Sequence, residues 1–299
     1  MKNEWIIGVD LRSRHEGAVE YAAWWRSGAG SDAVPRFSAV HVKGGMEKAS
    51  ASLLGAYAEE RTRRKPPFDR VATVFPGLET AVVEHGRVEE ALEAEVRSRG
   101  ASGLLVGRKA RSDEISAIRL GTVARRLARR LCQPLVVVPP DWSRAAVNKG
   151  PVLLATDLGE DTVAALGFAR AFARSVGRPL VAVHAARDVA RHFHYAESDR
   201  HLSSLRDKVV EEVCARTETW MGGQGARGCA CVAALGDPVE RVLAMAKDVD
   251  AVLVVCGSRR LAWAERWVQA GVGTSLAAHA SCPVAIVPPD VSASFEAER

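Results

Sequence analysis

Near its middle the chain reads QPLVVVPPDW over residues 133–142, and near its end it reads CPVAIVPPDV over 282–291, an offset of 149 residues. Other landmarks keep the same order: WIIGVDLRS (5–13) parallels VLLATDLGE (152–160), FSAVHVK (37–43) parallels LVAVHAA (180–186), GLLVGRK (103–109) parallels VLVVCGSR (252–259), and Gly121-Thr122 parallels Gly273-Thr274. A repeat of about 140 residues is too long for a solenoid unit and the right size for a self-contained domain. The chain is therefore one domain written twice, over 1–143 and 151–290, with 144–150 as the linker inside the Pro-rich polar stretch 139–151 and 291–299 as a tail.

Within each repeat, short apolar runs without polar alternation (Ile6 to Val9, Leu104 to Val106, Leu135 to Val138) have the character of strands buried on both faces, the mark of a parallel sheet covered by helices. Helical periods lie between them. Val163, Leu166, Ala169, Ala173 and Val176 recur at three- and four-residue spacing, Glu160 and Asp161 stand at the favourable N-terminus, and Gly177-Arg178-Pro179 ends the helix. The order strand, helix, strand, variable helical segment, strand, helix, strand, helix, strand, twice over, predicts a doubly wound α/β fold. Ligands of such sheets sit beyond the carboxyl ends of the strands, so the residues just after each strand carry the function.

An aspartate follows strand one in each repeat (Asp10, Asp157), and Gly107 or Gly257-Ser258 follows strand four. Gly121-Thr122 and Gly273-Thr274 then open the last helix. Unpaired N–H groups and a hydroxyl at a helix start suit a phosphate, and an acid across the cleft suits a ribose hydroxyl. The same residues also serve a plain turn and helix cap, and spacing alone leaves both readings open.

Together these motifs resemble the universal stress protein family: GVD and its helix, AVH on strand two, the glycine loop, Gly-Thr, and the closing P-x-x-x-V-P strand, once per repeat over nearly the whole chain. The resemblance implies a five-stranded parallel α/β sandwich of the adenine nucleotide alpha hydrolase-like type. It also implies that two such domains associate through their last strands, here Leu135 to Val138 and Val284 to Val287, so that a tandem chain is an internal pseudo-dimer. ATP, with Mg2+, is the implied cofactor, and Asp10, Gly107, Gly121, Thr122, Asp157, Gly257, Ser258, Gly273 and Thr274 are the implied nucleotide-binding residues. Members that bind ATP carry G-x2-G-x9-G-[S/T], and this chain departs from it. The middle glycine is Ala110 in the first repeat, where the loop is one residue longer, and Arg260 in the second, where counting to Gly273 makes it three longer. An added Cβ crowds the phosphate approach, whereas Arg260, or Arg108 and Lys109, supplies a phosphate-binding cation. A lost site and an altered site both fit. The functional expectation is a stress-response regulator that binds adenine nucleotide in one or both repeats, the alternative being a protein-interaction scaffold with degraded loops.

Other features narrow the field. The composition, 47% apolar and 26% charged, is that of a globular chain, and no apolar run reaches the length of a bilayer span. With no leader or anchor visible and six cysteines in no secreted framework, a cytoplasmic, non-membrane protein is expected. The net charge of +5 divides unevenly: residues 1–149 hold 25 Lys+Arg against 18 Asp+Glu, and 150–299 hold 16 against 18. Much of the first excess lies in Arg61 to Lys65 and in RLGTVARRLARR (119–130), where Arg125, Arg126, Arg129 and Arg130 share the side opposite Leu120, Val123, Leu127 and Leu131. Without interleaved aromatics, a solvated or acid-paired face is expected rather than a nucleic-acid surface. The sequence has no P-loop lysine motif, no G-x-S-x-G and no H-E-x-x-H, so at most weak ATPase activity is expected. His41 and His184 are expected to make structural hydrogen bonds, and Cys229 and Cys231 to pack as buried apolar groups on one strand face. His192, His194 and His201 form the one local histidine cluster, with Glu197 or Asp199 as further metal-ligand candidates and a polar helix as the alternative. Trp263 and Trp267, four apart in the loop of the second repeat, fit a lid, a protein interface or the domain's own packing. Protein partners, including a second copy of the chain, are expected but unspecified.

Overall fold

The computed structural model describes residues 3–11, 16–30, 34–43, 68–84, 86–108, 120–147, 149–186, 199–258 and 271–291, and two compact units divide the chain at Val147 and Asn148.

The first unit runs β1 (Glu4–Gly8), α1 (Gly17–Gly28), β2 (Arg36–Lys43), α2 (Asp69–Val74), β3 (Glu79–Glu84), α3 (Val88–Arg99), β4 (Gly103–Gly107), α4 (Thr122–Arg130) and β5 (Leu135–Val138). Its strands pair in parallel in the order β3-β2-β1-β4-β5. The chain therefore works outward from β1 in one direction, then returns to add β4 and β5 on the other side. That reversal places the crevice of the sheet between the carboxyl ends of β1 and β4. The continuous apolar runs are buried as expected: Trp5, Ile6 and Ile7 on β1, Leu104 and Leu105 on β4, and all of β5 are at most 1% exposed. An aromatic chain fills one side, Trp5 to Trp25 at 4.9 Å, Trp25 to Phe37 at 5.6 Å and Phe37 to Phe75 at 5.9 Å between ring centres.

The second unit repeats the pattern with β6 (Val152–Ala155), α5 (Val163–Ser175), β7 (Leu180–Ala186), α6 (Asp199–Gly223), β8 (Ala230–Leu235), α7 (Pro238–Asp248), β9 (Leu253–Gly257), α8 (Val272–His279) and β10 (Val284–Val287). Its parallel order, β8-β7-β6-β9-β10, is the first unit's order again. Leu166, Ala169 and Ala173 of α5 are buried, and Phe168 and Phe172 stack with ring centres 6.1 Å apart. Gly177, at φ +62°, ends that helix: Gly177 N–H donates to Arg174 O and Arg178 N–H to Ala173 O. The helix α7 starts on Asp237, whose Oδ1 accepts from Val239 N and Glu240 N at 2.9 and 3.0 Å, with Pro238 in the first turn.

Residues 139–147 are not a free connector. Trp142 is 7% exposed and packs edge-on against Tyr21 at 5.1 Å, while Arg144 N–H donates to Glu20 Oε2 at 2.9 Å and the Arg144 guanidinium to Ser27 Oγ at 3.0 Å. Trp142 and Arg144 thus bind this stretch as a strap along α1 of the first unit.

Candidate functional site

In the first unit, Asp10 leaves β1 two residues beyond the strand end and is exposed, and Gly107 closes β4 beside it. Among the described residues, no atom lies within 4 Å of where a Gly107 Cβ would stand. The helix α4 enters through Gly121, at φ −57° and ψ 154°, with no side chain capping it; Thr122 is the first helical residue and is exposed. Its opening N–H groups and the Thr122 hydroxyl are thus presented at the carboxyl end of the sheet.

The second unit differs at the strand-four glycine and at the first residue of its last helix. A Cβ on Gly257 would meet Asp161 O at 2.7 Å and Thr162 Cγ2 at 3.0 Å, because the 3-10 turn Glu160–Thr162 lies against the end of β9. That turn is held from within: Thr162 Oγ1 donates to Gly159 O at 2.7 Å and lies 3.2 Å from Thr156 Oγ1, which accepts from Leu158 N–H at 2.9 Å. Asp157 is exposed, and its Oδ1 accepts from Gly159 N–H at 3.1 Å.

The entry of α8 corrects the register of the repeat. Its cap is Gly271, at φ −60° and ψ 153°, the same conformation as Gly121, and Gly271 follows Gly257 by the same number of residues as Gly121 follows Gly107. The two loops are equally long, and the counterpart of Gly121-Thr122 is Gly271-Val272. Gly273 is inside the first turn, where a Cβ would come within 3.0 Å of Cys256 Sγ, and Thr274 Oγ1 donates back to Gly271 O at 2.8 Å. A second glycine two positions after the first gives Gly273-Thr274 the same spelling as Gly121-Thr122. At the first helical position the second unit has no hydroxyl and instead presents Val272, 43% exposed.

Ser258 N–H donates to Val287 O at 2.8 Å and Arg108 N–H to Val138 O at 2.7 Å, so the amide after each strand-four glycine belongs to the sheet. Lys109, Ala110, Arg260, Trp263, Trp267, His192, His194, Glu197 and Arg61 to Lys65 lie outside the described residues, as do the side chains of Asp199 and His201. Among the described residues, no group of three metal-ligating side chains occurs and no helix is long and apolar enough to cross a membrane.

One functional group escaped the motif reading. Glu16, the residue before α1, is half-buried, and its pKa is raised from 4.5 to about 7 by burial first and by the Asp10 charge second, with Arg70 opposing. Its only sequence signal is an acid a few residues past Asp10 at a helix start, which reads as an ordinary first-turn acid. The histidines do what strand placement suggests: His41 Nδ1 lies 3.0 Å from Val9 O and His184 Nδ1 2.8 Å from Thr156 O, each imidazole N–H donating to a carbonyl. The α4 arginines are acid-paired in part, Arg126 with Glu89 and Arg130 with Glu90 and Glu93 of α3. Cys229 and Cys231 are half-buried rather than buried.

A family model described as the universal stress protein family matches residues 150–288. Among solved structures, a universal stress protein from Archaeoglobus fulgidus is 16% identical, with 97% of this chain and 99% of that chain covered at a TM-score of 0.63. A functionally unknown protein from Pseudomonas aeruginosa is 15% identical, with 98% and 95% covered, also at 0.63. A universal stress protein from Archaeoglobus fulgidus in complex with dAMP is 20% identical over 47% of this chain and 99% of its own, at 0.31. Comparison with curated proteins finds no match. The full-length likenesses show the fold of the whole chain, the first unit repeats the strand order of the second, and residues 150–288 belong to the universal stress protein family.

Proposed function

We propose that this protein is a stress-response regulator that binds one adenine nucleotide per chain, in its first unit. The observation that carries the reading is the contrast at the crevice mouth. In the first unit no described residue crowds Gly107 and Gly121-Thr122 opens the helix with a hydroxyl at its first position; in the second, Gly257 is packed against Asp161 and the corresponding hydroxyl is replaced by Val272. The α4 N–H groups and Thr122 would take the phosphates, with Mg2+ accompanying ATP, and Asp10 would take the ribose. Glu16, its pKa raised to about 7, is protonated in part at neutral pH, which lessens the negative charge beside Asp10.

The test is the 260/280 nm absorbance ratio of purified protein, mass spectrometry of what it releases, and calorimetric titration with Mg-ATP. One site per chain is expected, abolished by Gly107→Val with Thr122→Ala and unchanged by Val272→Ala. Protein that carries no nucleotide and shows no thermal shift with Mg-ATP would overturn the reading. The scaffold reading then stands, and it has its own support: Arg108 and Ser258 N–H groups are both committed to the sheet, and Ala110 and Arg260 replace the middle loop glycine.

A further inference from the structure

Cys231 lies near the start of β8, the edge strand of the second unit's sheet, and Cys214 lies on α6, the helix packed against it. The Cys231 thiol approaches Cys214 O at 3.6 Å and Glu218 Oε1 at 3.7 Å. Both sulfurs are half-buried and both are free, whereas Cys256 and Cys282 are buried in the core and Cys132 is a lone exposed thiol of the first unit. The Cys214 side chain itself also hydrogen-bonds with the Cys231 thiol, so the two side chains are direct neighbours across the strand and helix.

We propose that Cys214 and Cys231 are a redox pair that closes to a disulfide on exposure to hydrogen peroxide and reopens under a thiol reductant. The partition of roles follows from surroundings. Cys231 holds its proton, its pKa raised to about 12 by burial first and then by Cys214 and Glu218, so it is the resolving thiol. Cys214 is the sulfur oxidised. Its thiolate attacks one peroxide oxygen and breaks the O–O bond; with one proton taken up, the products are a sulfenic acid and water. Cys231 sulfur then attacks the Cys214 sulfur and expels the hydroxyl. The Cys231 proton passes through Glu218 to that hydroxyl, which leaves as a second water. Overall two thiols lose two electrons and two protons, and one peroxide becomes two waters. The product ties β8 to α6 across a loop of about 17 residues, a length for which a disulfide restricts the unfolded chain appreciably.

The experiment uses the full chain, reduced and then treated with hydrogen peroxide, digested without reductant and weighed. A peptide pair joined through Cys214 and Cys231, 2 Da lighter than its parts and at least tenfold more abundant than any pair containing Cys132 or Cys229, is the expected result. Peroxide should raise the melting temperature by about 5 °C, dithiothreitol should reverse the rise, and Cys132→Ser should leave it intact. The wild-type chain before and after reductant is its own folding control, so a poorly folded Cys214→Ser variant does not blunt the test. Sulfinic acid at Cys214 without a cross-link, a cross-link through Cys229 instead, or one that forms only after the chain is unfolded in urea would each overturn the proposal.

Discussion

Arg126 of α4 donates to Glu89 Oε1 of α3 at 2.6 Å, and the pair is unequal: the glutamate side chain is 5% exposed and the arginine side chain 54%. Burial alone would raise the Glu89 pKa; its own helix-end N–H, the Arg126 hydrogen bond and charge, and the Arg87 charge outweigh it and hold the carboxyl below 4.5. Removing the guanidinium leaves a buried carboxylate with one partner fewer. Arg126→Ala is expected to cost about 2 kcal/mol at pH 7, reduced from the fully buried case because Arg126 is half in solvent. A depressed folded pKa contributes stability above the ordinary value of 4.5 and loses it as pH falls through the folded one. Urea unfolding should therefore show the variant's deficit shrinking in acid.

Glu16 has the opposite sign. With a folded pKa of about 7 against an ordinary 4.5, folding favours its protonated form, so its contribution is complete below about pH 4.5 and is lost as pH rises through 7. Glu16→Gln should match the wild type at pH 4.5 and exceed it at pH 8 by about 1 kcal/mol, a figure discounted because the group is only half-buried. Urea midpoints of both proteins at the two pH values check this. If nucleotide binds beside Asp10, wild-type affinity should fall between pH 6 and 8 and the variant's affinity should stay flatter.

The paired glycines predict opposite responses to the same change. Gly107→Ala adds a methyl that meets no described residue and should leave stability within about 0.5 kcal/mol, whereas Gly257→Ala presses on Asp161 O and should cost about 2 kcal/mol. Thermal unfolding of the two variants, measured side by side, distinguishes an uncrowded strand end from a crowded one without any ligand.

Trp142→Ala should destabilise the first unit by about 3 kcal/mol, since the ring is buried against Tyr21 and Trp24 at 5.1 and 6.1 Å. Loss of near-ultraviolet ellipticity together with a lower first unfolding transition is the expected signature. A connector lying loose in water would show neither.

The fold was legible because buried parallel strands leave a signal in residue type alone: Ile6 to Val9 and Leu135 to Val138 have no polar alternation to misread, and Gly177 marks its helix end by the φ it must adopt. The site was legible only where the signal was local. Asp10 and Gly107 follow strands, and strand ends are easy to find. The α8 entry was not, because Gly271 and Gly273 are interchangeable by spelling and only the helix backbone tells the cap from the first turn. Glu16 was invisible for a different reason, since its protonation depends on burial beside Asp10, a long-range consequence of packing. The partnership of Cys231 with Cys214 was hidden likewise: strand alternation pairs Cys231 with Cys229, while the contact that matters crosses from sheet to helix.

The histidine contacts bear on how each sheet ends. In a parallel ladder the next acceptor on β1 after Gly8 is Val9 O, which would ordinarily take a backbone N–H from β2; His41 offers an imidazole N–H instead, and His184 does the same for Thr156 O beside β6. The terminus of a strand is thereby fixed by a side chain on its neighbour, as a helix terminus is fixed by its capping residue. The strand can stop while its neighbour runs on, and the aspartate that follows, exposed in both units, leaves the ladder with the preceding carbonyl already satisfied.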